Sequence, residues 1–166
     1  MAIISLHIGK TEQLCLTEIL AMAEHRLGII MHGVTGRMGM NQHLKRSILA
    51  IREQGGVVLS NGDRVVPDPI LVGRNAEKVE QLAKSCNVER WTTDLASALQ
   101  NEDDTLFFDA ATTQMRPQLL KKAMDAGKDV YCEKPVAETL QEALDLVHYA
   151  REKGVKIGRA SCRERV

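Results

Sequence analysis

The segment from Leu27 to Gly39 constrains the fold more than any other part of the chain. An apolar run, Leu27 to His32, is followed by three glycines at a spacing of three, Gly33, Gly36 and Gly39, and then by a helical pattern. Glycines at such a turn allow a tight bend, a close approach of backbone amides to a phosphate, and close packing of the helix on the strand. The unpaired amides and the positive end of the helix dipole also attract an anion. The segment therefore predicts a turn that binds the pyrophosphate of a dinucleotide.

Three other residues of this turn are candidates for binding. Thr35 offers a hydroxyl to a phosphate, and Arg37 and Met38 supply backbone amides at the start of the helix. The alternative interpretation is that the glycines only bend the chain, because short glycine motifs also occur without a ligand. The apolar strand before the turn and the helix after it favour phosphate binding.

Strand-like apolar runs alternate with amphipathic helical patterns from residue 27 onward. This alternation is typical of parallel strands joined by crossover helices. The sequence therefore predicts an α/β fold, a single domain with a doubly wound parallel sheet of the Rossmann type. The predicted strands are 27–32, 70–72, a short one at Trp91, 105–110, 130–132 and one that begins at 155. The predicted helices are 37–54, one capped by Asn75, 95–99 capped by Asp94, one from Pro117 to Gly127, and one from Thr139 to Gly154.

Two local patterns refine this outline. Asn61 and Gly62 lie between two apolar stretches, a strong signal for a tight hairpin, which we interpret as an insertion before the strand 70–72. Thr139 and Glu142 have the spacing of a capping box at the start of the last helix. That helix is predicted to carry on one face Leu140, Ala143, Leu144 and Val147.

The two ends of the chain differ from its middle. A helical pattern runs from Thr11 to His25 without a connection to the sheet, so we expect residues 1–25 to be an N-terminal extension. Residues 26–156 form the predicted dinucleotide-binding domain. Residues 157–166 lack apolar periodicity and match the translation of a common sequencing-adapter oligonucleotide, so we expect a non-native tail. A genuine basic tail is the alternative.

Charge and cysteine content argue against several classes of function. The 22 basic and 22 acidic residues balance, which does not favour nucleic-acid binding. The four cysteines show no CxxC spacing and no partnering histidines, so the sequence predicts no metal site, and free thiols fit the cytoplasm. No apolar stretch approaches the length of about 18 residues that spans a bilayer. The expected partners are a small-molecule substrate and further copies of the full-length protein, with neither nucleic acid nor membrane.

The residues after the second sheet strand bear on the choice of cofactor. In dinucleotide folds a carboxylate there accepts hydrogen bonds from the adenosine ribose. Here the sequence reads Gly73-Arg74-Asn75, with no acid to repel a 2′-phosphate and a guanidinium able to pair with it. We therefore predict NADP, with NAD as the other possibility. The alternative interpretation of Arg74 is an ordinary surface charge.

A second segment, from Val130 to Pro135, places a charged pair and a proline directly after a strand. Removal of a hydride from an alcohol carbon requires the hydroxyl proton to be held or taken away as the carbonyl forms. A lysine can do this as a base, or as a cation that donates a hydrogen bond. Lys134 is therefore the candidate catalytic residue, with Glu133 orienting the amine or contacting the cofactor and Pro135 holding the turn. The alternative is a surface Glu-Lys pair that ends a strand.

From Leu27 to Lys156 the chain resembles the N-terminal cofactor domain of the Gfo/Idh/MocA oxidoreductases. The resemblance rests on the glycine turn, on the strand and loop from Phe107 to Thr113, and above all on Glu-Lys-Pro followed by a capped helix. It implies that Lys134 lies near the nicotinamide and the substrate hydroxyl, and that the parent protein is an oxidoreductase acting on a sugar, polyol or similar small hydroxy compound. It also implies that the family's second, substrate-binding domain is missing here, so that the chain alone is inactive.

Four polar residues have weaker claims to a role at this site. Thr112 and Thr113 follow a buried strand at the expected cofactor face, where they could contact the cofactor or cap a helix. His32 and His43 are interpreted as structural, because nothing in the sequence pairs them with a metal ligand.

Two other functions stay open at the level of sequence. One is a dinucleotide-binding or redox-sensing module that carries out no chemistry. The other is an enzyme like the dihydrodipicolinate reductases, whose turn also ends in Gly-Arg-Met-Gly. The second is weakened because Lys134 has no further lysine or histidine cluster nearby to bind a dicarboxylate.

Overall fold

The computed structural model describes residues 22–159, which form one seven-stranded sheet with helices on both faces. The strands are β1 Glu24–His32, β2 Val57–Val58, β3 Arg64–Val72, β4 Trp91–Thr92, β5 Asp104–Asp109, β6 Asp129–Cys132 and β7 Ile157–Arg159. The helices are α1, wound as a π-helix over Gly39–Leu49 and as an α-helix over Ala50–Glu53, then α2 Ala76–Ser85, α3 Leu95–Gln100, α4 Arg116–Asp125 and α5 Leu140–Lys153. A single 3₁₀ turn, Thr113–Met115, precedes α4.

The sheet has the strand order of a doubly wound fold. The parallel strands lie in the order β4, β3, β1, β5, β6, β7, and only β2 runs antiparallel, against β3. The chain builds outward from β1 in one direction and then from β5 in the other, so the order reverses between these two strands. The predicted doubly wound parallel sheet is confirmed, and the carboxyl ends of β1, β3, β5 and β6 open onto one edge.

Two apolar clusters, one on each face of the sheet, hold the helices in place. Successive side chains of a strand point to opposite faces, so Phe107 packs with Leu120 and Leu146 of α4 and α5, whereas Phe108 packs with Leu44 and other residues of α1 and α2. Burying a side chain of this size contributes about 1.5–3 kcal/mol. The two clusters therefore fix both layers of helices against β1 and β5.

The inward face of α5 differs from the predicted one. Leu146 and Ala150 are buried, with Ala143 partly buried beside them, while Leu140 is 76% exposed and Leu144 is 44% exposed. The prediction that Leu140 and Leu144 share the buried face was wrong. The helix carries two adjoining apolar stripes, and its hydrophobic periodicity does not distinguish the stripe that meets the core.

The strand β3 is longer than its predicted counterpart. The hairpin at Gly62 is confirmed, since β2 pairs antiparallel with the first residues of β3, but the same strand then continues to Val72. The predicted break before residue 70 was wrong. Pro67 and Pro69 lie within this strand, and both are tolerated because the odd-numbered backbone nitrogens of β3 point away from β1. This direction is shown by Leu71 N–H, which donates to Arg90 O on the outer side at 2.9 Å.

The ends of the sheet extend beyond the predicted domain, 26–156. Glu24 and His25 belong to β1, so the predicted helix is wrong at these residues, and its part before residue 22 lies outside the described residues. Hydrogen bonds to the hairpin hold this segment extended, with Arg64 N–H donating to Ala23 O at 2.8 Å. At the other end, Ile157–Arg159 pairs with β6, so three residues of the predicted tail join the sheet.

Local caps set the helix ends as predicted. The Asn75 side chain accepts a hydrogen bond from Lys78 N–H at 2.9 Å, and Thr139 forms the capping box with Glu142. Gly154 ends α5 with a φ of 69°, a conformation that glycine adopts without strain. Across residues 22–159 no helix combines the length and the apolar character needed to cross a membrane.

Candidate functional site

The turn after β1 has the geometry that its three glycines predict. Gly33 has a φ of +77°, and a Cβ there would lie 2.5 Å from the nitrogen of Ala111. A Cβ on Gly39 would lie 2.7 Å from the carbonyl oxygen of Gly33, so α1 packs directly against the turn. Gly36 differs, because its Cβ would have a single neighbour within 4 Å, the Gly33 oxygen at 3.3 Å. The fold requires Gly33 and Gly39, whereas Gly36 leaves the backbone open to a group from outside.

An open cleft lies beside this turn. Its lining comes from the carboxyl ends of neighbouring parallel strands, where open α/β sheets bind their ligands. Five of the candidate residues are among its lining: Gly33, Thr35, Gly36, Arg74 and Thr112. The rest of the lining is His32, Gly73, Ala110, Ala111 and Met115.

The start of α1 supplies amides next to the cleft. Met40 N–H donates to Gly36 O at 2.8 Å, the first bond of the helix, so the amides of Arg37, Met38 and Gly39 precede the helical ladder. The side chains of Arg37 and Met38 are exposed, and Gly39 is buried. These three residues therefore offer backbone groups to the turn, and none of their side chains lines the cleft.

In the loop after β3, some residues pack against α2 and others are exposed. Gly73 is buried, since a Cβ there would lie 2.7 Å from Cγ2 of Val79 in α2. Arg74 is exposed at the cleft. Asn75 uses its side-chain oxygen to cap α2 through Lys78 N–H. Of the two polar candidates in this loop, only Arg74 faces the cleft.

The loop after β5 brings one of its two threonines to the cleft. Thr112 is exposed at the cleft, and its carbonyl oxygen accepts a hydrogen bond from Met115 N–H at 3.2 Å. Thr113 begins the 3₁₀ turn before α4 and does not line the cleft.

The loop after β6 holds the Glu-Lys-Pro segment at the same edge of the sheet. Glu133 is buried, and its N–H donates to Asp109 O at 2.9 Å. Its carboxylate accepts a hydrogen bond from Lys134 N–H at 3.1 Å and contacts His43 Nε2. Lys134 and Pro135 are exposed and joined by a cis peptide bond. The structure thus places Lys134 on the edge where β1, β5 and β6 end, outside the lining of the cleft.

A polar network that the sequence does not reveal joins these loops. Asp109 is fully buried and accepts hydrogen bonds from His32 Nδ1 at 2.8 Å, Arg116 Nε at 2.9 Å and Ala111 N–H at 3.2 Å. Arg116, which is 2% exposed, also donates to the carbonyl oxygens of Ala111, at 2.6 Å, and Pro135. His32 was interpreted as structural, and the structure places it both on this network and at the cleft. His32 lies 77 positions from Asp109 and Pro135 lies 19 positions from Arg116, so no local spacing indicates these two contacts.

Two neighbouring groups complete the surroundings of the Glu-Lys-Pro segment. His43, on α1, contacts Glu133 and places its ring 4.5 Å from that of Phe108. Burial raises the pKa of the Cys132 thiol to about 11, although the Arg116 charge opposes the shift, so this thiol is neutral at physiological pH. Among residues 22–159, no cluster of three or more His, Cys, Asp or Glu side chains could hold a metal ion.

The residues of the cleft fit a dinucleotide. The hydroxyl of Thr35 and the amides at the start of α1 are donors for a pyrophosphate, Gly36 leaves its approach open, and Arg74 supplies a positive charge at the rim. No carboxylate lines the cleft. The donor set therefore suits an anionic, phosphate-bearing ligand.

Comparisons with known proteins agree with this fit. The sequence model of Gfo/Idh/MocA, described as an oxidoreductase family with an NAD-binding Rossmann fold, matches residues 33–160. The chain is 48% identical over 130 residues to D-xylose dehydrogenase of Paenarthrobacter nicotinovorans, and the aligned region covers 78% of this chain and 34% of that protein. The chain thus spans about a third of the length of this relative.

Solved structures show the same fold. An oxidoreductase domain protein from Kribbella flavida superposes with a TM-score of 0.66 at 25% identity, over 81% of this chain and 35% of that one. GenD2 from gentamicin A biosynthesis, solved in complex with NAD, superposes with a TM-score of 0.62 at 26% identity, over 82% of this chain and 34% of that one. These chains are also about three times as long as the region they share with this one.

Proposed function

Because the chain belongs to the Gfo/Idh/MocA oxidoreductase family, we propose that it is the cofactor-binding domain of an oxidoreductase that acts on a sugar, polyol or similar small hydroxy compound. The observation that carries the proposal is the open backbone at Gly36, beside a cleft that Arg74 and Thr112 also line. The similarity to a D-xylose dehydrogenase supports a sugar as the substrate class. A nicotinamide dinucleotide, when bound, supplies the group that accepts or donates the hydride.

The residues around the glycine turn would hold this cofactor. Backbone amides at Arg37 and Met38 bind the pyrophosphate, which approaches over Gly36, and the Thr35 hydroxyl adds a hydrogen bond. Gly33 and Gly39 keep the turn and the helix close enough for this contact. Thr112, with Thr113 behind it in the same loop, closes the opposite wall of the cleft.

Lys134 is the proposed catalytic residue. Its ammonium group donates a hydrogen bond to the substrate oxygen, or its amine accepts the hydroxyl proton, while the carbonyl forms. Glu133 supports this role from a buried position, because its carboxylate binds the backbone N–H of Lys134. Pro135 follows directly and ends the exposed part of the turn. The rest of the substrate site would come from parts of the protein that this chain does not include.

NADP is the proposed form of the cofactor, because Arg74 lies at the cleft and no carboxylate lines it. A guanidinium pairs with a 2′-phosphate through charge-assisted hydrogen bonds, which contribute about 1.5–3 kcal/mol. We therefore expect NADPH to bind the chain more tightly than NADH in a fluorescence or calorimetric titration. Arg74→Ala should weaken NADPH binding about tenfold or more at that energy and leave NADH binding unchanged.

The matched control is Arg151→Ala, which removes an exposed arginine from the last turn of α5. This variant should bind both cofactors as the parent chain does. Equal or tighter binding of NADH by the parent chain would remove the case for NADP.

Gly36→Ala tests the site itself. The added Cβ would lie 3.3 Å from the Gly33 carbonyl oxygen, a close contact that a small shift of the turn relieves, so the variant should fold while its methyl group blocks the approach of a phosphate. We expect a large loss of dinucleotide affinity and only a small change in melting temperature. A folded parent chain that binds neither NADPH nor NADH at millimolar concentration would contradict the proposed function.

Two further expectations concern the longer protein. The longer protein could bind the dinucleotide and yet turn over no sugar or polyol. In that case the preferred function would be a dinucleotide-binding or redox-sensing module that carries out no chemistry. We also propose that the longer protein is a homo-oligomer. We propose the cytoplasm as its location, since the two described cysteines, Cys86 and Cys132, are free thiols, which suit a reducing compartment. Light scattering and cell fractionation of the full-length protein test these two points.

A further inference from the structure

Arg116 is the largest fully buried side chain of the described part of the protein, and its three hydrogen-bond partners belong to three different segments. Its Nε donates to Asp109 at the end of β5, at 2.9 Å. One terminal nitrogen donates to Ala111 O in the loop after β5, at 2.6 Å, and the other donates to Pro135 O in the loop after β6. None of these partners lies in α4, the helix that carries Arg116.

Burial makes these contacts costly to lose. A guanidinium has five N–H donors in a fixed planar fork and cannot lose its charge, so a buried arginine requires several acceptors in defined positions. Here one acceptor is a carboxylate and two are backbone carbonyls. Because the fork is rigid, the carbonyl oxygens of Ala111 and Pro135 are held at a set separation from each other.

The network also reaches the cleft. The second oxygen of Asp109 binds His32 Nδ1 at 2.8 Å, and the His32 side chain lines the cleft beside the glycine turn. Ala111 lines the same cleft. A continuous set of hydrogen bonds thus connects the cleft, through Asp109 and Arg116, to the turn that contains Lys134.

We propose that Arg116 is a positioning residue, which holds the Glu133–Pro135 turn in place relative to the dinucleotide cleft. The consequence for Lys134 rests on the proposed function, whereas the positioning of the turn does not. A lysine at position 116 carries one nitrogen and cannot hold both carbonyl oxygens and the carboxylate in the same geometry. Arg116→Lys therefore keeps the charge and removes the fork.

The experiment measures amide hydrogen exchange in the 166-residue chain, for the parent and for Arg116→Lys. In the parent, Glu133 N–H donates to Asp109 O and Lys134 N–H to the Glu133 carboxylate. The substitution should speed exchange at these two amides by about tenfold, a local opening of about 1.4 kcal/mol, and should leave the amides of β3 unchanged.

Arg90→Lys is the matched control. Arg90 also pairs with a fully buried aspartate, Asp104, but this pair lies at the opposite edge of the sheet. The control should lower the melting temperature without speeding exchange at Glu133 and Lys134.

Two outcomes would overturn the proposal. Exchange at Glu133 and Lys134 could be no faster in Arg116→Lys than in Arg90→Lys at matched stability, or Arg116→Lys could speed exchange uniformly over the whole sheet. If Arg116→Lys does not fold, the proposal is tested in the parent chain instead, by measuring the hydrogen-exchange rate of the Arg116 Nε–H in nitrogen-15 spectra. A slowly exchanging signal supports the proposal, and rapid exchange overturns it. Absence of cofactor binding with a positive exchange result would contradict only the proposed function.

Discussion

The strand β5 carries a fully buried aspartate at each end, and the two carboxylates are neutralised in different ways. Asp104, at the start of the strand, and Asp109, at its end, are both 0% exposed. Asp104 pairs with Arg90 and Asp109 pairs with Arg116. One strand therefore offers an internal comparison of two buried ion pairs at opposite edges of the same sheet.

The network at the start of β5 consists mainly of side chains. Arg90 binds Asp104 and also Asp68, at 2.9 Å, and Arg26 binds Asp68 at 2.6 Å. Asn101 donates to Asp104 at 3.0 Å. The hydrogen bonds that Arg90 donates to the Asp104 carboxylate are the main cause that raises the pKa of Arg90. This network joins the first halves of β1, β3 and β5 and reaches solvent through Arg26, whose side chain is 42% exposed.

The network at the end of β5 instead binds backbone. Arg116 donates to the carbonyl oxygens of two loops that border the candidate site, and Asp109 accepts from the amide of Ala111. Side chains at the first edge bind one another and stabilise strands, whereas those at the second edge fix loops that no regular structure holds. The difference indicates that an ion pair of the same composition serves stability at one edge and site geometry at the other.

The strongest test of this comparison removes each aspartate. Asp109→Ala leaves the Arg116 charge buried and unpaired, which costs about 3–5 kcal/mol of unfolding free energy. Asp104→Ala leaves Arg90 with Asp68 and with water, since its side chain is 26% exposed, and should cost about 1–3 kcal/mol. Urea unfolding measures both values, and an equal or larger loss for Asp104→Ala would break the comparison.

Substitution of two glycines, one in β1 and one in the turn after it, sharpens the comparison of the two edges. Gly28→Ala would press a methyl group against Asp103 O and the Asp104 side chain, while Gly33→Ala would meet Ala111 N at 2.5 Å. Both substitutions clash with backbone atoms, at 2.3 Å for Gly28→Ala and 2.5 Å for Gly33→Ala, and the φ of +77° adds a left-handed penalty of about 1–2 kcal/mol at Gly33. Dinucleotide titration of the folded fraction should show lost binding for Gly33→Ala and retained binding for Gly28→Ala. Lost binding in both would mean that the two edges are not independent.

The next test concerns the thiol that precedes the Glu-Lys-Pro segment. Because burial raises the pKa of Cys132 to about 11 from an ordinary value of 9.0, the folded chain keeps its proton when the unfolded chain has lost it. The contribution of this thiol to stability is therefore present below pH 9 and is lost as the pH rises toward 11.

Alkylation followed by peptide mapping measures the same property directly. At pH 8, the partly exposed Cys86 should react with iodoacetamide well before Cys132 does. Rapid labelling of Cys132 in the folded chain would show that the end of β6 opens, contrary to a rigidly held second edge.

The smallest effect is expected at an exposed pair near the start of β1. His25 Nε2 lies 2.9 Å from the Asp63 carboxylate, and this hydrogen bond is the main cause that lowers the pKa of Asp63. The pair contributes stability above the ordinary Asp63 pKa of 3.8, and that contribution is lost as the pH falls below it. His25→Ala should shift the acid unfolding midpoint only slightly, because exposed pairs are screened by solvent. If the acid unfolding midpoints of His25→Ala and Asp104→Ala shifted equally, the assignment of His25 and Asp63 as a weak exposed pair would be wrong.

The order of strands and helices could be predicted from the sequence because its signals are local. Alternating apolar runs, the cap at Asn75, the capping box at Thr139 and the glycine spacing each depend on residues a few positions apart. The same holds for the part of the cleft formed by Gly33, Gly36 and Arg74, since carboxyl ends of parallel strands must meet at one edge.

The features that the sequence did not predict depend on contacts between residues far apart in the chain. His43 and Glu133 are 90 positions apart, and His32 and Asp109 are 77 apart, so only the folded chain brings them together. The buried face of α5 likewise depends on how the helix lies on the core, which its two apolar stripes leave open. Arg116 looks like an ordinary helix residue in the sequence, and only burial shows that its charge needs partners.

The paired prolines of β3 have a consequence for encounters between molecules. β2 and β4 pair with the two ends of the outer margin of β3, and Pro67 and Pro69, both buried, lie between them. A strand from a neighbouring molecule that lay along this margin would find no N–H group at either position and would leave its own carbonyl groups unmatched. This side of the sheet therefore resists intermolecular strand addition, the first step by which exposed sheet margins lead to aggregation.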